Sequence, residues 1–123
     1  MAVANSISPT FDEVHIGNSG TSNVVTQLTS TVTAVVCNSK AGTIHFYAPQ
    51  DLAAGAEISF EVTNSKCTSS SVVIPTLASA NVGGSPFLYV SKASTGSFTM
   101  TISNLHASVA ETGTLIANFA IIN

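Results

Sequence analysis

Side chains able to carry chemistry are few in this chain. His15, His45 and His106 are its histidines, Cys37 and Cys67 its cysteines, and Asp12, Glu13, Asp51, Glu57, Glu61 and Glu111 its acids. Imidazoles are common ligands of zinc and similar ions. Here no two histidines stand at i, i+2 or i, i+4, so no single strand or helix turn offers a pair. The three could meet as a metal site within one chain, or one histidine from each of three copies could build a site around a threefold axis. The plainer reading is surface or interface histidines held by ordinary hydrogen bonds. Cys37 and His45 have the types of a nucleophile and its base, yet nothing beside them would orient the imidazole. Cys37 ends a strand on this reading and His45 lies inside the next. Asp12 and Glu13 have the types of an acid–base pair or of calcium ligands, but adjacent acids in an irregular segment are more often simply solvated. Phe46 with Tyr47, or Phe87 with Tyr89, would make an aromatic platform for a sugar. The chain has no Trp, and these rings read as core and interface packing.

Known catalytic signatures are missing as well. There is no glycine-rich phosphate loop and no His-Glu-x-x-His. Gly-x-Ser-x-Gly and Cys-x-x-Cys are absent too, as is any Asn-x-Ser/Thr sequon. The expectation is a protein that is not an enzyme, with no cofactor and no metal.

The elements that would position any site are strands. Glu57–Thr63 alternates, with Ile58, Phe60 and Val62 on one face. Ser97–Ser103 does the same with Phe98, Met100 and Ile102. From Thr114 to Ile122 both faces are largely apolar: Leu115, Ala117, Phe119 and Ile121 on one, Ile116, Ala120 and Ile122 with Asn118 on the other. Such a strand reads as covered on both sides. Weaker strands are expected over Val24–Val36, Thr43–Tyr47, Ser71–Pro75 and Phe87–Ala93. Between them lie turn signals, among them Asn38-Ser39-Lys40-Ala41-Gly42, Ala53-Ala54-Gly55, Gly83-Gly84-Ser85-Pro86 and Ser94-Thr95-Gly96. Helical turns are expected at most over Asp51–Ala56 and Ala107–Glu111, both too short to stand alone. About eight short, evenly spaced strands spell an all-β sandwich or small barrel. Residues 1–22 alternate poorly and hold Pro9 and a Gly17-Asn18-Ser19-Gly20 stretch. They read as an extended N-terminal arm ahead of a β-sandwich domain over 23–123.

Composition bounds the partners. With 123 residues the chain builds one core. Its hydrophobic fraction of 45% is ordinary, whereas its charged fraction of 7% is far below the usual quarter or so. Three lysines, no arginine and a net charge of −3 exclude phosphate-backbone binding, so no nucleic-acid partner is expected. No apolar run approaches the length of a membrane span, and the start MAVANSISPT lacks the basic and apolar regions of a signal peptide. A soluble chain with two free thiols is therefore expected. A neutral surface of Ser, Thr, Asn, Ala and Gly favours self-association over a free monomer.

Several strings have a family likeness. Thr26-Gln27-Leu28-Thr29-Ser30 precedes Ala41-Gly42-Thr43-Ile44, and Leu52 to Ser65 reads LAAGAEISFEVTNS. Thr95 to Ala107 reads TGSFTMTISNLHA, and Gly113 to Ile122 reads GTLIANFAII. Together, over about residues 24–123, these resemble small virion proteins of tailed phages and prophages, especially cyanophage-like ones. Where such proteins often carry GVTLN, this chain has Thr33-Ala34-Val35-Val36-Cys37-Asn38, so the turn there is expected to differ. The resemblance implies a jelly-roll-like antiparallel β-sandwich that forms a homotrimer. It implies a capsid decoration, or cement, protein made in the host cytoplasm and carried on the capsid exterior, with the major capsid protein as partner. A tail-fibre or receptor-binding module recognising a host surface ligand is the alternative. Candidate partner-binding residues are Phe11, Asp12, Glu13 and His15 in the arm, and Phe87 and Tyr89 in the sandwich.

Overall fold

The computed structural model describes residues 23–47, 50–79 and 83–123. Ten strands run along them: β1 Val24–Thr26, β2 Val35–Val36, β3 Ala41–His45, β4 Gln50–Leu52, β5 Glu57–Thr63, β6 Val72–Ser79, β7 Pro86–Ser94, β8 Ser97–Asn104, β9 Glu111–Gly113 and β10 Ile116–Ile122. Sheet 1 has the order β1-β3-β10-β6, sheet 2 the order β2-β5-β8-β7, and β4 pairs with β9 as a small third sheet. The two large sheets pack as a β-sandwich, and no helix occurs among the described residues.

The sandwich follows from the alternation. Ile44, Ala117, Phe119 and Ile121 point inward from sheet 1, and Phe60, Val62, Phe98, Met100 and Ile102 point inward from sheet 2. Aromatic pairs tie the layers together. Phe98 of β8 lies 5.1 Å from Phe119 of β10 between ring centroids, and Phe46 meets Phe60 edge-to-face at 5.2 Å. Gly42 of β3 sits opposite Phe119, and a Cβ there would lie 2.7 Å from the Phe119 ring and 2.8 Å from the Cys37 sulfur. Only glycine lets β3 and β10 close over that ring.

Some elements differ from expectation. Val24–Val36 is not one strand but two short ones in different sheets. The chain turns between them because Gln27 is buried and uses its amide locally. Its Nε2 donates to the carbonyls of Thr31 at 3.1 Å and Thr33 at 2.9 Å, and its Oε1 accepts from Tyr47 N–H at 3.1 Å. Both outer pairings at this end, β1 on β3 and β2 on β5, are parallel, so the sheets are mixed rather than purely antiparallel. Asp51–Ala56 is strand and turn, not helix: Ala56 N–H bonds Ala53 C=O at 3.0 Å, with Gly55 at φ 74°. In Ala107–Glu111 the His106 ring, not a helical carbonyl, accepts the N–H groups of Ser108 at 3.1 Å and Val109 at 3.0 Å.

Two further amides pin the loops. Buried Asn64 donates to Ser39 C=O at 2.7 Å and accepts from Lys66 N–H at 2.9 Å. Asn104, 1% exposed, donates to the carbonyls of Leu52 at 3.0 Å and Val109 at 2.8 Å. It also accepts from the N–H groups of Ser85 at 2.9 Å and His106 at 3.1 Å. Asn64 and Asn104 are thus structural fasteners.

Candidate functional site

The outward faces of the two sheets differ in chemistry. On sheet 2 the β5 residues Glu57, Ser59 and Glu61 face out, and so do Thr99, Thr101 and Ser103 of β8. On β7, Phe87 stands opposite Ser103 and Tyr89 opposite Thr101, and a register shift between Val90 and Lys92 then turns Lys92 outward against Thr99. The register sets two hydroxyls on one carboxylate. Tyr89 Oη donates to Glu57 Oε2 at 2.8 Å, and Ser103 Oγ donates to the same oxygen. Phe87, half exposed, lies 5.8 Å from the Tyr89 ring. Beside them Thr101 Oγ1 bridges Ser59 Oγ at 2.8 Å and Ser91 Oγ at 3.0 Å. The Ser103 and Tyr89 bonds hold the Glu57 carboxyl below its ordinary titration range, and the Glu57 bond holds the Tyr89 phenol above its own. This polar–aromatic patch offers a carboxylate, a row of hydroxyls and a ring edge.

Sheet 1 presents the opposite. Its outward residues run in rows across the sheet. Val24, Thr43, Asn118 and Thr76 form one row, Ala41, Ala120 and Ile74 the next, and Ile122 with Val72 the last. His45, Thr26 and Ile116 stand at the other end. Among the described residues no Lys, Asp or Glu lies on this face. Val72, Ile74 and Ile122 are adjacent and 56%, 46% and 43% exposed. Thr43 Oγ1 donates to Asn118 Oδ1 at 2.8 Å at its centre. The sequence pattern reads β10 as covered on both sides; among the described residues no element covers its Ile122 face.

A third feature is the open end of the sandwich between β1 and β2, where a groove of about 520 Å³ is lined by Val25, Leu28, Thr33, Val35 and Val36 among others. Leu28, 81% exposed, stands at its rim.

Among the described residues the remaining reactive groups do not assemble. Cys37 and Cys67 are free and buried, and burial pushes the Cys37 thiol up, against nucleophilic use. His45 and His106 lie on different elements, and among the described residues no three metal-ligating side chains come together. Buried Glu111 accepts from Gly84 N–H at 2.9 Å through Oε2, while its Oε1 has no partner among the described residues. Of the sequence candidates, Phe87 and Tyr89 meet on sheet 2, and Phe11, Asp12, Glu13 and His15 lie outside the described residues. Sequence reasoning missed Glu57 as the partner of Tyr89, because only register places β5 two strands from β7. It also missed Glu111, for which alternation carried no signal.

No family model matches the chain, and no curated protein and no solved structure matches it.

Proposed function

We propose that the chain is a non-enzymatic structural subunit of a phage virion. It acts as a capsid decoration, or cement, protein: a jelly-roll-like sandwich on the capsid exterior, working as a homotrimer and bridging neighbouring copies of the major capsid protein. The resemblance over residues 24–123 supports the class of particle. The observation that supports the role is the outward face of sheet 1, which among the described residues carries no Lys, Asp or Glu and bears exposed Val72, Ile74 and Ile122. Surfaces of that kind are built for burial against protein. A stiff sandwich with pinned loops suits a part that resists internal pressure.

A second reading, a tail-fibre or receptor-binding module, rests on the Phe87–Tyr89–Glu57 patch, whose ring edges and hydroxyls suit a host surface ligand. Copy number separates the two. Quantitative mass spectrometry of purified virions is expected to find this chain in hundreds of copies, in fixed ratio to the major capsid protein. A count of a few per particle favours the fibre reading. Absence from purified virions refutes both.

A further inference from the structure

The loop between β8 and β9 carries an inference about response to acid. We propose that His106 is a pH-sensitive latch: its neutral ring holds the turn at Ala107, Ser108 and Val109 closed, and protonation of the ring releases that turn. The inference goes beyond the structural role proposed above and does not depend on it.

The geometry leaves the ring nitrogen one role. His106 Nδ1 accepts the backbone N–H groups of Ser108 at 3.1 Å and Val109 at 3.0 Å. Main-chain amides only donate through their N–H, so Nδ1 must present its lone pair. The neutral ring therefore carries its proton on Nε2. An imidazolium has N–H on both nitrogens and no lone pair left. A proton taken up from water on Nδ1 ends both bonds and leaves two amide donors pointing at a cation. Bonds from one side chain to the N–H groups two and three residues on are those that Asn, Ser and Thr make in turns. Histidine builds the same turn and adds a titration that those three lack. The contribution of the two bonds is present with the neutral ring and lost as pH falls through the imidazole titration.

The surroundings confine the change to the turn. At its entrance Leu105 N–H bonds Ser85 C=O at 2.9 Å, and His106 N–H bonds Asn104 Oδ1 at 3.1 Å. At its exit Asn104 Nδ2 donates to Val109 C=O at 2.8 Å. None of these groups titrates. Both ring bonds are exposed, so water recovers part of their loss and the response is local rather than global. Leu105 and Val109, 66% and 41% exposed, flank the turn. The latch thus governs how an apolar pair is presented. Neither β8 nor the Gly83–Ser85 segment holds a Lys, His, Asp or Glu. From β4 comes Asp51, which is exposed, and from β9 comes Glu111, buried with Oε2 on Gly84 N–H. On β7, Tyr89 is bonded to Glu57, and Lys92 stands opposite Thr99 toward the other end of β8. Replacing His106 by Asn leaves all of these groups in place.

The experiment is nuclear magnetic resonance of the isotope-labelled full chain from about pH 8 to about pH 5, the span over which imidazoles change charge. At the upper end His106 should show its proton on Nε2 and a bare Nδ1. As the ring titrates, the amide protons of Ser108 and Val109 should shift upfield. Their protection from exchange, corrected for the pH dependence of free-chain exchange, should fall several-fold while that of Leu105 holds. His106→Asn offers an acceptor in the same place without a titration, so both amides should stay protected across the range. A proton on Nδ1 at the upper end overturns the latch. So does wild-type protection that persists through the titration. Protection lost at low pH in His106→Asn as well overturns it too, and moves the response to another group such as Glu111. Should His106→Asn fail to fold, the wild-type titration decides by itself.

Discussion

Replacing Asn104 by Ala tests whether the loops are held by side-chain amides rather than by the sheets. Asn104 closes β8 and reaches three other segments: Leu52 of β4, Ser85 ahead of β7, and Val109 ahead of β9. Truncation strands two carbonyls and the N–H groups of Ser85 and His106. The Leu52 bond is fully buried, and the other three are partly buried. An unmade buried bond costs about 1–3 kcal/mol, and partly buried groups recover some of that from water. Taking ~2 kcal/mol for the first and ~0.5–1 kcal/mol for each of the rest gives about 3.5–5 kcal/mol. A domain of this size holds roughly 5–15 kcal/mol in all, so the variant should be near the edge of folding. Urea unfolding followed by circular dichroism is the assay, with Asn118→Ala as comparator. Asn118 is exposed and bonds Thr43, so its loss should cost under ~0.5 kcal/mol. If Asn104→Ala loses less than ~1 kcal/mol, water or loop relaxation replaces its bonds and the fastener argument is wrong.

Phe60→Ser should cost about 3–5 kcal/mol, because it removes a buried ring in edge contact with Phe46 and leaves a hydroxyl in the core. A thermal midpoint within a few degrees of wild type would contradict that. Gly42→Ala should destabilise by at least ~1–3 kcal/mol, since the new methyl overlaps the Phe119 ring and the Asn23 carbonyl oxygen; equal or greater stability in urea would show that β3 shifts freely. In a Tyr47→Phe background, Tyr89 is the remaining tyrosine and its ultraviolet titration should run above the usual phenol range, returning toward it in Glu57→Gln. Glu57 ionises below its usual range and Tyr89 above its own, so their bond forms between those limits. It is lost as pH falls through the Glu57 carboxyl and as pH rises through the Tyr89 phenol. An unchanged titration in Glu57→Gln would show that no such bond forms in solution.

The sequence by itself determined the class of fold and most of its core. Period-two alternation in Glu57–Thr63 and Ser97–Ser103 assigned Phe60, Phe98, Met100 and Ile102 to the interior. That assignment is local, because in a strand each side chain's face follows from its neighbours. What it left out is non-local. Pairing partners are chosen among strands far apart in the chain, so nothing in Phe87–Ala93 announced that Tyr89 would reach Glu57 through β8. Val24–Val36 read as one strand because most of its residues are Val or Thr, which favour extended backbone. The burial of Gln27 with its bonds to Thr31 and Thr33, and the Ser30–Thr33 turn bonds, break it between two sheets. The tertiary structure alone decided that β4 and β9 pair at the ends of apparent helical turns, and that one face of β10 stays open. The two-sided apolar pattern of β10 was legible from the start, but among the described residues no element covers its second face.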